Sequence, residues 1–146
     1  MGTTPVNLEA RTPGDGDVTA TPGSLPPELC LNGDWECGLD RDYRRRVPVP
    51  GLAGDPRKID AAPVWYRRQV QLPAGDWHGA TLLLNGARFA PRVYVDGRLV
   101  SQAAGGMAIT EHRLTSPAIK PGARVVLEIE LQPLDRIPAD DASVIP

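Results

Sequence analysis

Apolar and polar positions alternate with a period of two in several short stretches of the chain, which predicts β-strands rather than helices. The clearest is ARVVLEIEL, residues 123–131. Val125, Leu127, Ile129 and Leu131 share one side, predicted to face a core, while Arg124, Glu128 and Glu130 are expected to face water with Val126. WYRRQVQLP, residues 65–73, puts Tyr66, Arg68, Val70 and Leu72 on one face and Trp65, Arg67, Gln69 and Gln71 on the other. GATLLLNGA, residues 79–87, is a continuous apolar run closed by Asn85-Gly86, as expected of a strand covered on both sides. PRVYVDGRLV, residues 91–100, predicts two strands joined at Asp96-Gly97, a dipeptide suited to the left-handed residues of a tight hairpin. ITEHRLT, residues 109–115, predicts a weaker strand.

The segments between carry turn residues. Asn32-Gly33 precedes a short strand around Trp35, and Pro117 to Gly122 form a turn. Residues 41–64 read as loop, because the prolines and glycines of VPVPGLAGDP exclude a central strand. Residues 1–25, rich in Thr, Pro, Gly and Asp, cannot bury enough surface to offset their ordering entropy and are expected to be a mobile arm or a loosely draped strand. Order is expected from residue 26 to residue 146. Short strands with a turn about every ten residues, and no amphipathic helix, predict an all-β antiparallel sandwich or jelly roll.

The chain of 146 residues suffices for one domain with a core, and 16 Pro and 15 Gly suit a turn-rich β protein. Sixteen Lys and Arg against 18 Asp and Glu argue against a nucleic-acid partner, which selects for a basic excess. One basic cluster stands out: Arg41, Arg44, Arg45 and Arg46 around Asp42 and Tyr43. It reads as a solvated loop, with contact to a phosphate or an acidic sugar as the alternative. No apolar run reaches the length of a membrane span. The N-terminal residues have no apolar segment of secretory type, which points to the cytoplasm. Cys30 and Cys37 leave a disulfide open, but a strand through Trp35 would hold them apart and favours two free thiols.

No catalytic motif appears. There is no Gly-x-Ser-x-Gly elbow, no His-Glu-x-x-His and no phosphate-binding glycine loop. His78 and His112 have no evident nucleophile beside them, and with two cysteines they form no recognisable metal site. No cofactor is implied. Asp135, Asp140 and Asp141 lie in a polar tail without the rigid, partly buried frame that acid–base work requires. Trp35, Trp65, Trp77, Tyr43, Tyr66 and Tyr94 could stack on a sugar ring, although core packing is the commoner role for each.

The order of motifs carries a resemblance that no single motif does. Leu31-Asn32-Gly33-Asp34-Trp35 is followed by VPVPG, then Trp65-Tyr66-Arg67-Arg68, Asp76-Trp77, ATLLLNGA, Val93-Tyr94-Val95-Asp96-Gly97-Arg98-Leu99-Val100, Gly105-Gly106, and Ile119-Lys120-Pro121-Gly122 before ARVVLEIEL. Over residues 29 to about 135 this series resembles the N-terminal sugar-binding domain of glycoside hydrolase family 2, the β-galactosidase, β-glucuronidase and β-mannosidase group. The resemblance implies a galactose-binding-like jelly roll. It implies retaining hydrolysis by two glutamates on a separate, downstream TIM barrel, which needs about 250 residues by itself. Catalytic residues are therefore expected to be absent from this chain, with the barrel as partner and a β-glycoside as ligand.

By the same resemblance Asp135 falls near a sugar-contacting Asp of some members, and Asp55 is the candidate in the loop where the family often has Asn or Asp after the prolines, a position at which Gly51-Leu52-Ala53-Gly54-Asp55 stands instead. Two positions depart from the family: Met107 replaces an aromatic after Gly105-Gly106, and Arg113 stands where the family has Asp. The family domain carries one further strand, so a fragment lacking its last strand is expected, with an open sheet edge able to mediate self-association. An independent carbohydrate-binding module and a sandwich without ligand are the alternatives.

Overall fold

A computed structural model describes residues 6–9, 27–51, 62–87, 89–105 and 108–133, with residues 6–9 described as main chain only. Ten strands form in chain order: β1 (Val6–Glu9), β2 (Glu28–Cys30), β3 (Gly33–Leu39), β4 (Asp42–Val49), β5 (Val64–Gln71), β6 (Thr81–Asn85), β7 (Arg92–Val95), β8 (Arg98–Gln102), β9 (Ile109–Arg113) and β10 (Arg124–Leu131). They make two antiparallel sheets, one of four strands in the order β2-β1-β6-β9 and one of six in the order β4-β3-β5-β10-β7-β8. No helix occurs among the described residues. The architecture is the all-β sandwich that the alternation predicts.

The core lies between the sheets. Trp35, Tyr66, Val70, Val93, Val95, Leu127 and Ile129 supply it from the six-stranded sheet, Leu82 and Leu84 from the four-stranded one. Loop residues Leu72, Trp77 and Ile119 join them. Two indoles enter the core with their N–H groups satisfied: Trp35 Nε1 donates to the Leu31 carbonyl at 2.8 Å, and Trp77 Nε1 to that of Pro73 at 2.9 Å. The Arg68 guanidinium also reaches the Leu31 carbonyl, at 2.7 Å, tying the corner between β2 and β3 to β5.

The hairpin at Asp96-Gly97 forms as predicted, with φ of 47° and 81° at the two turn residues. The turn is also bonded to β10: the Asp96 carboxylate accepts from the Val126 N–H at 2.9 Å, and the Asp96 N–H donates to the Val126 carbonyl at 2.9 Å. Cys30 is exposed, Cys37 is buried, and both are free thiols.

Three expectations are corrected. Residues 42–49, expected in a loop, form β4. It is an edge strand that pairs only with β3, where Pro48 can sit opposite Asp34 and leave its missing donor on the open side. Strand β6 is not covered equally on both faces: Leu82 and Leu84 are inaccessible, whereas Thr81 and Leu83 are half-buried. Glu128 and Glu130, expected to face water, are each only 7 % exposed. Their cover is what makes the outer face of the six-stranded sheet unusual.

Candidate functional site

The outer face is built around one cross-strand row. Register sets Arg46 on β4 opposite Glu36 on β3, Glu36 opposite Arg67 on β5, Arg67 opposite Glu128 on β10, and Glu128 opposite Tyr94 on β7. A second row sets Trp65 on β5 opposite Glu130 on β10 and Glu130 opposite Arg92 on β7. Charge thus alternates across the sheet, the arrangement in which directly opposed side chains attract.

The tip of the β3–β4 hairpin folds over these rows, through two local irregularities. The first is a two-residue turn at Asp40-Arg41, with φ of 48° and 64° and no glycine at either position. The second is a β-bulge. Between the pairs Cys37–Arg45 and Leu39–Asp42, Gly38 alone opposes Tyr43 and Arg44. The extra residue breaks the alternation and moves Tyr43 from the side of Val47 to the outer face. Gly38 allows this approach, since a Cβ there would lie 1.7 Å from the Asp42 carbonyl oxygen.

Arg41 and Tyr43 thereby cover the acids. The Tyr43 hydroxyl donates to Glu128, and the Arg41 Nε lies 3.5 Å from the same carboxylate. The Arg41 guanidinium is stacked 4.3 Å from the Trp65 ring centroid and 5.1 Å from that of Tyr94, within cation–π range. Trp65 and Tyr94 pack together with centroids 5.0 Å apart. Glu130 accepts from the Tyr94 hydroxyl at 3.2 Å and from Arg92 Nη1 at 3.3 Å. Arg67 donates to Glu36 at 2.7 Å and lies 4.1 Å from the Tyr43 centroid.

The protonation states follow from these neighbours. The hydrogen bond from Arg67 lowers the pKa of Glu36 and keeps it ionised. Burial and the adjacent carboxylates raise the pKa of Tyr43 and of Tyr94, so both phenols stay protonated and act as donors. The Arg41 and Arg92 side chains are 45 % and 44 % exposed over carboxylates that are 10 % and 9 % exposed. Anions lie beneath and cations above.

A second polar cluster joins the two sheets. His112 on β9 is fully buried, with Nδ1 2.9 Å from Ser101 Oγ on β8 and Nε2 2.9 Å from Thr110 Oγ1. The expectation that no nucleophile adjoins His112 is thus corrected. The pair is nevertheless structural in form: the second ring nitrogen meets a hydroxyl rather than the carboxylate that orients a catalytic histidine. Burial lowers the His112 pKa and favours the neutral ring. His78 is exposed, 3.8 Å from Asp76. Among the described residues no group of His, Cys, Asp and Glu could hold a metal ion. A shallow open depression of about 340 Å³ lies elsewhere, lined by Ala80, Arg113, Leu114, Thr115 and Ile119 among others.

Asp55 and Asp135, the two sugar-contact candidates, lie outside the described residues, as do Gly106, Met107, Asp140 and Asp141. Of the six aromatic candidates, Trp35, Trp77 and Tyr66 belong to the core, whereas Trp65, Tyr94 and Tyr43 meet on the outer face. The arginine cluster is divided. Arg41 sits on the aromatic pair, Arg44 pairs with Asp42 at 2.8 Å, and Arg46 lies opposite Glu36. Sequence reasoning missed Glu128 and Glu130, although two glutamates on one side of β10, with aromatics and arginines outward on β5 and β7, were the available signal.

No protein-family model matches the sequence, and no curated protein matches it. Among solved structures, a β-D-glucuronidase from Dictyoglomus thermophilum shares the fold, with a TM-score of 0.54 and 17 % identity over 88 % of this chain and 20 % of that chain. A β-glucuronidase from Faecalibacterium prausnitzii aligns with a TM-score of 0.42 and 20 % identity over 90 % of this chain and 20 % of that one. The chain therefore spans about a fifth of the length of these neighbours. At such identity the likeness to the first speaks for a shared fold.

Proposed function

We propose that the chain is a non-catalytic, sugar-binding accessory domain of a glycosidase of the glycoside hydrolase family 2 type, built as a galactose-binding-like jelly roll. One observation carries this reading: the chain, a β-sandwich over its described residues, aligns over 88 % of its length with a fifth of a β-D-glucuronidase. The motif series from Leu31 to ARVVLEIEL supports it independently. Hydrolysis of the O-glycosidic bond belongs, on this reading, to two carboxylates of a TIM-barrel partner. The buried carboxylates among the described residues, Glu128 and Glu130, are each engaged by an arginine and a tyrosine. Asp55 and Asp135 remain the proposed sugar contacts, by the resemblance to the family's pocket-facing segments. A cytoplasmic location and the absence of nucleic-acid and membrane partners belong to the same reading.

The test uses aryl β-glycosides and two proteins. One is the purified chain. The other is the chain fused ahead of a TIM-barrel glycosidase whose own sandwich has been removed. The chain alone should leave every substrate intact, and the fusion should regain activity lost with the native sandwich. Turnover by the chain alone, or a folded fusion with no recovered activity, would refute the reading.

A further inference from the structure

The outer face of the six-stranded sheet presents its charges in two layers. Arg41, Arg67 and Arg92 are 45 %, 39 % and 44 % exposed, while the carboxylates they pair with are 10 %, 36 % and 9 % exposed. Over Glu128 and Glu130 an approaching molecule therefore meets the guanidinium groups of Arg41 and Arg92 first, whereas Arg67 and Glu36 are about equally exposed. The two buried acids, Glu128 and Glu130, sit beneath Arg41 and Arg92. They hold Arg41 by its Nε, 3.5 Å from Glu128, and Arg92 by its Nη1, 3.3 Å from Glu130, with both side chains still nearly half exposed. A planar, half-exposed fork held in place from beneath suits binding of a carboxylate.

The backbone supports a role for Arg41 beyond packing. It occupies a left-handed position, φ 64°, in a turn whose second residue is ordinarily glycine. An arginine there costs about 1 kcal/mol relative to glycine. Its ion pair with the buried Glu128 and its stacking on Trp65 and Tyr94 hold it there against that cost. The neighbouring bulge and Gly38 bring the same hairpin tip over Trp65 and Tyr94. Strain held by several surrounding features is a mark of a binding position.

We propose that this face is a receptor for carboxylate-bearing saccharides. Arg41 and Arg92 take the uronate carboxylate, and the Trp65–Tyr94 pair fixes the guanidinium beneath the sugar. The oxyanion specificity stands on the geometry of the face alone, whereas the choice of a saccharide as its carrier rests on the accessory-domain reading. Because paired acids cancel the charge of the three arginines, recognition acts at short range and the affinity is modest.

The test is a titration of the ¹⁵N-labelled 146-residue chain, followed by amide shifts, with three probes. They are trigalacturonate, its fully methyl-esterified form, which has the same skeleton without charge, and hexaglutamate. Trigalacturonate should shift amides of β5, β7 and β10 saturably, and the ester should bind at least tenfold more weakly. Arg41→Gly keeps the turn, since glycine adopts its φ freely, and should weaken binding at least fivefold. Arg92→Gln should do the same. Arg113→Gln, on the exposed side of β9 in the other sheet, should leave binding unchanged. Equal binding of the ester, unchanged binding in Arg41→Gly and Arg92→Gln, or no binding of the uronate each overturns the proposal. Hexaglutamate binding as tightly as the uronate overturns the saccharide and points to an acidic peptide. The fusion assay reads a different property, so a chain that restores a barrel yet ignores uronates defeats this proposal alone.

Discussion

Gly38→Ala should unfold the hairpin tip from the outer face. The added Cβ would lie 1.7 Å from the Asp42 carbonyl oxygen and 2.4 Å from its carbon, where ordinary van der Waals contact begins at 3.4 Å. Both atoms are main chain, so no side-chain rotation relieves the clash, and β4 must move away from β3 by more than 1 Å. Overpacking of this kind costs about 1–3 kcal/mol. The same movement draws Tyr43 from Glu128 and Arg41 from Trp65, leaving a buried carboxylate without its donors, at a further cost of about 1–3 kcal/mol. The two effects share one displacement, so a total of about 3 kcal/mol is expected. For a domain of this size that lowers Tm by roughly 10 °C.

Gly97→Ala is the control. A Cβ there meets nothing within 4 Å, and only the φ of 81° opposes it, which costs about 1 kcal/mol. Thermal melts followed by near-ultraviolet circular dichroism read both stability and the Trp65–Tyr94 environment. If Gly38→Ala melts no lower than Gly97→Ala and keeps the parental spectrum, the bulge does not position the tip and the reasoning fails.

Protonation of His112 should weaken the fold. Its folded pKa is lowered from 6.5 by burial, so below that pH the unfolded chain binds more protons and stability falls. Urea midpoints should therefore drop between pH 7 and pH 5 in the parent and drop less in His112→Gln; equal slopes would exclude His112 as the source. Tyr43→Phe removes the donor to Glu128 and should cost about 1–2 kcal/mol in chemical denaturation; a neutral effect would mean that Arg41 and solvent suffice for that carboxylate. Cys30 is exposed and Cys37 buried, with burial raising the Cys37 pKa, so a thiol reagent should titrate Cys30 in the native protein and reach Cys37 only on unfolding. Rapid labelling of both would show that β3 opens readily.

How far the sequence could be read depends on the range of each signal. Strand β10 and the β7–β8 hairpin were legible because alternation and the Asp96-Gly97 turn are properties of neighbouring residues. Strand β4 was not, since its prolines argue against a central strand and only sheet order makes it an edge. Glu128 and Glu130 sit on the side of β10 that alternation assigned to them, yet that side is covered by side chains from β4, β5 and β7 and the turn before β4. Periodicity tells which face a residue takes, not what lies over it.

By itself, then, the sequence determined the all-β class, most strand positions, the tight hairpin and the core-facing side of β10. Each of these follows from a period of two and from the φ preferences of turn residues, which act over a few positions of chain. Tertiary structure decided the rest. It brought Ser101 and His112 together across the two sheets and turned Tyr43 outward through one extra residue in β4. It also set arginines from β5, β7 and the β3–β4 turn over acids from β3 and β10. These placements depend on strand order and register, which join segments as far apart as Tyr43 and Glu128, and no local pattern encodes them.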